Sequence, residues 1–145
     1  MEYIYTINES NKSFDVVVSG KVDSAAFTRL GIKFRTLALE LGYTILFDYR
    51  NAKVDISIGE VYFWFRDHLD KVSVRFRSIP TAHLTNENNA QLFRFADLTW
   101  TNAGAVVKSF DNPADAKNWL GRFNQNSTVQ IKPLDTFQYE QLEAI

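Results

Sequence analysis

The sequence predicts one α/β domain, a mixed β-sheet with packed helices and elements in the order ββαβαβαβα. Three observations carry this prediction. The chain opens with two strand-like runs separated by a short polar stretch. Further strand-like runs then alternate with apolar stripes at helical spacing, which places crossover helices between parallel strands. The last of these units, residues 107–120 (VKSFDNPADAKNWL), reads as a strand followed by a helix with its own start signals.

Residues 3–7 alternate large and polar side chains, and residues 8–13 are rich in Asn, Ser and Lys. Residues 14–19 form a β-branched run that Gly20 ends, so the two runs read as an antiparallel hairpin. Asp23 or Ser24 supplies a side-chain oxygen to the free amides of the next helix. Phe27, Leu30, Phe34, Leu37, Ala38 and Leu41 form its apolar stripe, and Gly42 suits a left-handed stop. Residues 43–49 (YTILFDY) are nearly continuously apolar, which marks a central strand covered on both faces. Residues 50–55 read as a polar connection.

Ser57 followed by Glu60 makes a capping-box pattern for a second helix, whose stripe is Ile58, Val61, Tyr62, Phe65 and Leu69. Residues 71–78 read as a loop or short edge strand, with Lys71, Arg75 and Arg77 as charges that guard a solvated edge. Residues 79–85 form another strand, with Pro80 near its start. A third helix is expected over residues 88–101, with Leu92, Ala96 and Trp100 inward. A strand over 105–110 follows. The final helix has Asn112 as its cap, Pro113 in its first turn, Asp115 at its positive end, and Ala116, Trp119, Leu120 and Phe123 on its buried side. These elements define a domain over residues 1–122. Residues 123–145, with a short strand-like run at 128–131, form an unplaced C-terminal extension.

The composition excludes several function classes. With 145 residues and 46% hydrophobic content the chain has material for one core. Lys plus Arg number 16 against 17 Asp plus Glu, without the basic excess of a nucleic-acid binder. The chain has no cysteine, hence no disulfide and no thiolate metal site. The N-terminal residues do not form a signal peptide, and no apolar run approaches the roughly 20 residues of a membrane helix. A cytoplasmic location, without membrane insertion, is the expectation.

Residues 44–50 (TILFDYR), the strand at 79–85 and the closing segment at 107–120 together carry a family likeness. They resemble the SpoIIAA-like branch of the STAS/SEC14 superfamily, with its central strand ending in aspartate and its closing Phe-Asp and Trp-Leu pairs. The likeness covers residues 1–122. It implies a STAS/SpoIIAA-like fold. The best-known STAS members are bacterial anti-sigma factor antagonists, switched by phosphorylation of a serine in an Asp-Ser-Ser/Thr-Gly pattern. The corresponding stretch here is Asp55-Ile56-Ser57-Ile58-Gly59. Ser57 falls on the phosphoacceptor position and Gly59 on the glycine, while Ile56 and Ile58 depart from the pattern. The SEC14 side of the likeness implies apolar ligands held beneath helices.

Ser57 is therefore a candidate phosphoacceptor or a plain helix cap. Asp48, Arg50, Asp55 and Asn86 are candidates for a ligand or partner rim, because open α/β sheets place sites at the carboxyl ends of their strands. Tyr49, Asn88 and Asp111 fall at the same expected edge. Phe63 and Trp64 lie off the stripe of their helix, and Phe95 widens the apolar arc of the next, so these three are candidate interface residues. His68 and His83 sit on different elements, with no metal-ligand spacing. No nucleophile–base pattern is legible. The expectation is a non-catalytic interaction or regulatory module, without cofactor or metal, that binds an unidentified protein partner or forms a homodimer. The alternative is a domain that binds a small apolar ligand.

Overall fold

The computed structural model describes residues 1–68 and 73–125. Strand β1 (Glu2–Asn8) and strand β2 (Ser13–Asp23) form the antiparallel hairpin, with Glu2 opposite Ser19 and Asn8 opposite Ser13. Helix α1 (Ser24–Leu41) follows, then β3 (Thr44–Asp55), α2 (Ile58–His68) and a short α3 (Val74–Arg77). Strand β4 (Thr81–Leu84), α4 (Ala90–Asn102), β5 (Val107–Phe110) and α5 (Pro113–Gln125) complete the fold. The sheet order is β1-β2-β3-β4-β5, and every pairing after the hairpin is parallel. The mixed α/β prediction thus holds, with α3 inserted into the expected order.

Helix boundaries follow local chemistry. Asp23 rather than Ser24 caps α1, accepting from the Ala26 amide at 2.8 Å. Gly42 ends the helix at φ 71°, a left-handed conformation that a Cβ disfavours, and its own N–H returns to the Ala38 carbonyl. The Asn112 side chain accepts from the Asp115 amide at 2.9 Å at the start of α5.

The core has two layers. Alternate residues of β2 and β3 (Phe14, Val16 and Val18; Ile45, Phe47 and Tyr49) pack with Phe34 of α1, Val61 of α2, Phe76 of α3 and Phe93 of α4. The opposite pleat offers Leu46, Ala82 and Leu84 to Ala116 and Leu120 of α5. Helix α5 crosses β3, β4 and β5. On the β1–β2 part of that face Ile4 lies exposed and Val17 half-buried.

Several boundaries differ from expectation. Gly20 does not end β2. It sits at φ 80° just past a register shift between Val17 and Ser19, so the strand bends and continues. Residues 50–55 are correspondingly strand rather than connection: Gly20 to Asp23 pair with Ala52 to Asp55. This polar ribbon lacks the apolar pattern that would reveal it. Residues 74–77 form helix α3 rather than a loop or edge strand. The Ser73 hydroxyl caps α3 by accepting from the Phe76 amide at 3.2 Å, and Phe76 is buried. Helix α4 begins at Ala90 because Asn86–Asn89 close a turn before it, and Phe93 is buried with Ala96 and Trp100 while Leu92 is half-buried. Helix α5 continues to Gln125, so the boundary expected at 122 falls inside a helix. The strand-like run at 128–131, Lys71 and Leu69 lie outside the described residues.

Candidate functional site

Asp48 and Arg50 lie two residues apart on β3 and share one face of its pleat. Arg50 folds back onto the carboxylate, with Nε donating to Oδ1 at 3.0 Å and Nη2 to Oδ2 at 2.8 Å. The Arg50 backbone N–H adds a third bond to Oδ1 at 3.0 Å. This forked pair is a fixed, internally satisfied unit.

Asn86 has an equally specific task. Strand β4 stops at Leu84, opposite Asp48, so β3 runs on beyond its partner. The Asn86 side chain donates to the Arg50 carbonyl at 3.0 Å, and the Asn89 side chain to the Tyr49 carbonyl at 3.1 Å. Asn86 Oδ1 also accepts from the amides of Asn88 and Asn89, while Asn89 Oδ1 accepts from the Asn86 amide. Two side chains thus replace a missing strand partner and shape the turn into α4. Asn89 is buried and was not singled out in the sequence. Its only signal was a second asparagine three residues after the first.

Asp48, Arg50 and Asn86 are therefore brought together, in roles that hold the backbone. Asp55 is apart from them, at the end of β3, in an exposed pair with Lys21 at 3.4 Å that contributes little to stability. Asp111 accepts from the neighbouring Asn112 side chain.

Ser57 precedes α2 and forms the complete reciprocal cap. Its Oγ accepts from the Glu60 amide at 3.1 Å, and Glu60 Oε1 accepts from the Ser57 amide at 2.9 Å. Ser57→Ala is expected to lower unfolding free energy by about 1 kcal/mol, and Ser57→Asp to retain most of it, because aspartate caps equally well. Urea denaturation of both variants measures this. Equal losses in the two would remove the cap assignment.

Helix α2 is rotated relative to its expected stripe. Val61 and Trp64 point inward, while Ile58 is 60%, Tyr62 59% and Phe63 43% exposed. Trp64 is thus a core residue and not an outward interface residue. Its indole N–H donates to Thr28 Oγ1 of α1 at 2.7 Å, and the Trp100 indole of α4 donates to the Val61 carbonyl at 3.0 Å. Two large rings with one polar atom each tie α2 to its neighbours. Phe95 is half-buried and packs against the main core. Phe63 remains exposed, with its ring edge-on to Tyr62 at 5.0 Å.

Beneath α1 and α4 lies a group of buried polar side chains. His83 of β4 stacks on Phe47 at 5.8 Å and lies 4.9 Å from Phe93, between ring centroids. Burial, aided by the nearby Arg35 charge, pushes its pKa down to about 3, so the ring is neutral at ordinary pH. Its Nδ1 has no hydrogen-bond partner among the described residues. Burial also lowers Arg35 to about 10, and its Nη1 donates to the Phe76 carbonyl at 3.4 Å. The Tyr49 hydroxyl is driven upward by burial, against the pull of Arg35. A neutral imidazole sealed among aromatic rings is placed for packing.

Two spaces among the described residues lie away from Asp48. Phe27, Ile56, Val61, Trp64, Leu92 and Trp100 are among the walls of a wholly apolar gap whose volume open to a water-sized sphere is about 10 Å³. A recess of about 330 Å³ lies by the amino-terminal ends of β3 and β4, among Leu39, Tyr43, Arg75, Ile79, Pro80 and Phe123. Among the described residues no three His, Cys, Asp or Glu cluster for a metal ion, and no helix is long and apolar enough to cross a membrane.

This arrangement, an antiparallel hairpin feeding a parallel sheet with one helix on its second face, is a SpoIIAA-like α/β fold. The structure is similar to the crystal structure of an uncharacterised DUF3478-family protein from Shewanella loihica PV-4, described as having a SpoIIAA-like fold. The two share 17% identity at a TM-score of 0.50, over 81% of this chain and 93% of that one. No family model and no curated protein sequence matches the chain.

Proposed function

We propose that this chain is a non-catalytic STAS-like module that binds another protein through the outer face of α2. The observation that carries this reading is the exposure of Ile58, Tyr62 and Phe63 on a helix whose other face is pinned by two indole hydrogen bonds. A rigid helix presenting adjacent aromatic and aliphatic side chains offers contact area at low entropic cost. Asp48, Arg50 and Asn86 favour the same reading, since their polar atoms are engaged in holding β3 and the turn before α4. Ser57 begins the docking helix. A phosphoryl group on its Oγ would face both the open amides at the start of α2 and the Glu60 carboxylate, so modification would change the charge beside the docking face.

A photo-crosslinking side chain placed at Tyr62 is expected to give one adduct of defined mass in cells that make the protein. The same residue placed at Asn118 of α5 is expected to give none. Tyr62→Lys should abolish co-purification of that partner at unchanged melting temperature. Failure to form an adduct from either Tyr62 or Phe63 would count against the reading. The alternative, an apolar-ligand domain, has suitable walls around Trp64 and Trp100, but a gap of about 10 Å³ holds no more than about one water. Native mass spectrometry showing a co-purified lipid would favour it.

A further inference from the structure

The two edges of the sheet are built differently. Strand β5 has four residues and includes Lys108. Its Ser109 amide is occupied by Asp97 of α4, whose Oδ2 accepts from the backbone N–H at 2.8 Å and from the hydroxyl at 2.6 Å. A short strand, a lysine and an occupied amide all keep an edge from pairing with another chain.

Among the described residues, strand β1 at the other edge has none of these guards. It runs for seven residues, pairs with β2 from Glu2 to Asn8 without a bulge, and contains no Lys, Arg or Pro. Its single charge is Glu2. Ile4 is 73%, Tyr5 46% and Ile7 49% exposed. The strand is also well anchored. Lys33 Nζ donates to the Tyr3 hydroxyl at 2.8 Å, and Tyr3 and Tyr5 meet Phe34 edge-on at 5.8 and 5.2 Å. A long, anchored edge with one charge, at its end, presents a row of backbone donors and acceptors to an incoming strand.

We infer that β1 is a homodimerisation edge, pairing antiparallel with β1 of a second copy about a two-fold axis at Tyr5. The two five-stranded sheets become one continuous sheet. The occupant is a second copy because the strand complements itself. With the axis at Tyr5, Tyr3 faces Ile7, Ile4 faces Thr6 and Glu2 faces Asn8 across the join, and each pair occurs twice. No like charges oppose. On the α1 side every pair is aromatic or aliphatic (Tyr3 with Ile7, Tyr5 with Tyr5), a composition that favours cross-strand contact. Tyr5 is the midpoint of the strand, so this register pairs all of Glu2–Asn8, and a shifted axis leaves strand residues without a partner. The interface uses no residue of α2, so it stands or falls separately from the docking face proposed there.

The test uses the full chain in sedimentation equilibrium. The unmodified protein is expected as a dimer. The double variant I4K/T6K places lysine opposite lysine twice and is expected to weaken the dimer by on the order of tenfold or more. I4E/T6E should do the same. Mixing the two should restore a one-to-one heterodimer, because lysine then faces glutamate. The chain has no native cysteine, so Tyr5→Cys alone reports the axis. Mild oxidation should link it to its mate, while Leu98→Cys on α4 should stay unlinked. A monomeric unmodified protein, dimers that survive in both charged variants, or a mixture that stays monomeric would each overturn the inference. If the charged variants fail to fold, the oxidation result decides it: an unlinked Tyr5→Cys protein overturns it.

Discussion

Below its ordinary pKa of 6.5, His83 is expected to cost the protein about 1.4 kcal/mol of stability per pH unit, and His83→Phe is expected to remove that slope. The sign follows from where the proton binds. Burial among Phe27, Phe47, Tyr49, Phe93 and Trp100, with Arg35 nearby, holds the folded imidazole at about 3. Between 6.5 and about 3 the unfolded chain binds a proton that the folded chain refuses. Stability from this group is therefore complete above 6.5 and is lost progressively as pH falls toward about 3. By about pH 4 the loss is on the order of 3 kcal/mol, a large share of a small domain's total. Asp97 acts in the opposite sense, because burial raises its carboxyl pKa and favours the folded state as it protonates. Both proteins carry Asp97, so it cancels in the comparison. Urea titrations of the unmodified and His83→Phe chains at several pH values give the difference in slope. A packing change from the added ring volume shifts the variant equally at every pH, so the slope isolates the proton. Parallel pH dependence in the two proteins would show that His83 is protonated in the fold and that its sealed environment is misassigned.

The same residue shows what a sequence exposes and what it hides. His83 was legible as a strand residue without a metal pattern. Its neighbours were not, since Phe27 and Phe47 come from α1 and β3, far back in the chain. The alternation of strands and helices, the hairpin, the Gly42 stop and the caps at Asp23, Ser57 and Asn112 were readable, because each depends on residues within one or two turns. What failed depended on partners. The extension of β3 through residues 50–55 is polar, and only its pairing with β2 past the register shift makes it strand. Asp48, Arg50 and Asn86 were correctly placed near one another, yet their occupation by backbone carbonyls and by each other follows from β4 stopping early. The similarity to a SpoIIAA-like structure at 17% identity extends the reading of the fold and leaves chemistry to these local details.

Trp64 is the sharpest correction, and its replacement has the other large expected effect. A stripe drawn at helical spacing through Ile58, Val61, Tyr62, Phe65 and Leu69 puts Tyr62 inside and Trp64 at an interface. The helix instead turns Trp64 inward, 6% exposed, where its ring lies 5.4 Å from Trp100 and its N–H meets Thr28. Thr28 is itself oriented by donating to the Ser24 carbonyl at 2.8 Å, leaving an oxygen lone pair for the indole. The larger, more apolar indole takes the buried place, and its single polar N–H finds the α1 hydroxyl there. Trp64→Ala is expected to lower unfolding free energy by about 3–5 kcal/mol, the range for emptying an aromatic core site. Trp64→Phe keeps most of the ring burial and loses the indole bond, for an expected cost of about 1–2 kcal/mol. Tyr62→Ala on the outer face should stay within about 0.5 kcal/mol. Denaturant titration of the three variants orders the two faces of α2 without any partner present. A Trp64→Ala protein as stable as the unmodified chain would return Trp64 to the surface and withdraw the rigid support on which the docking face of Tyr62 and Phe63 depends.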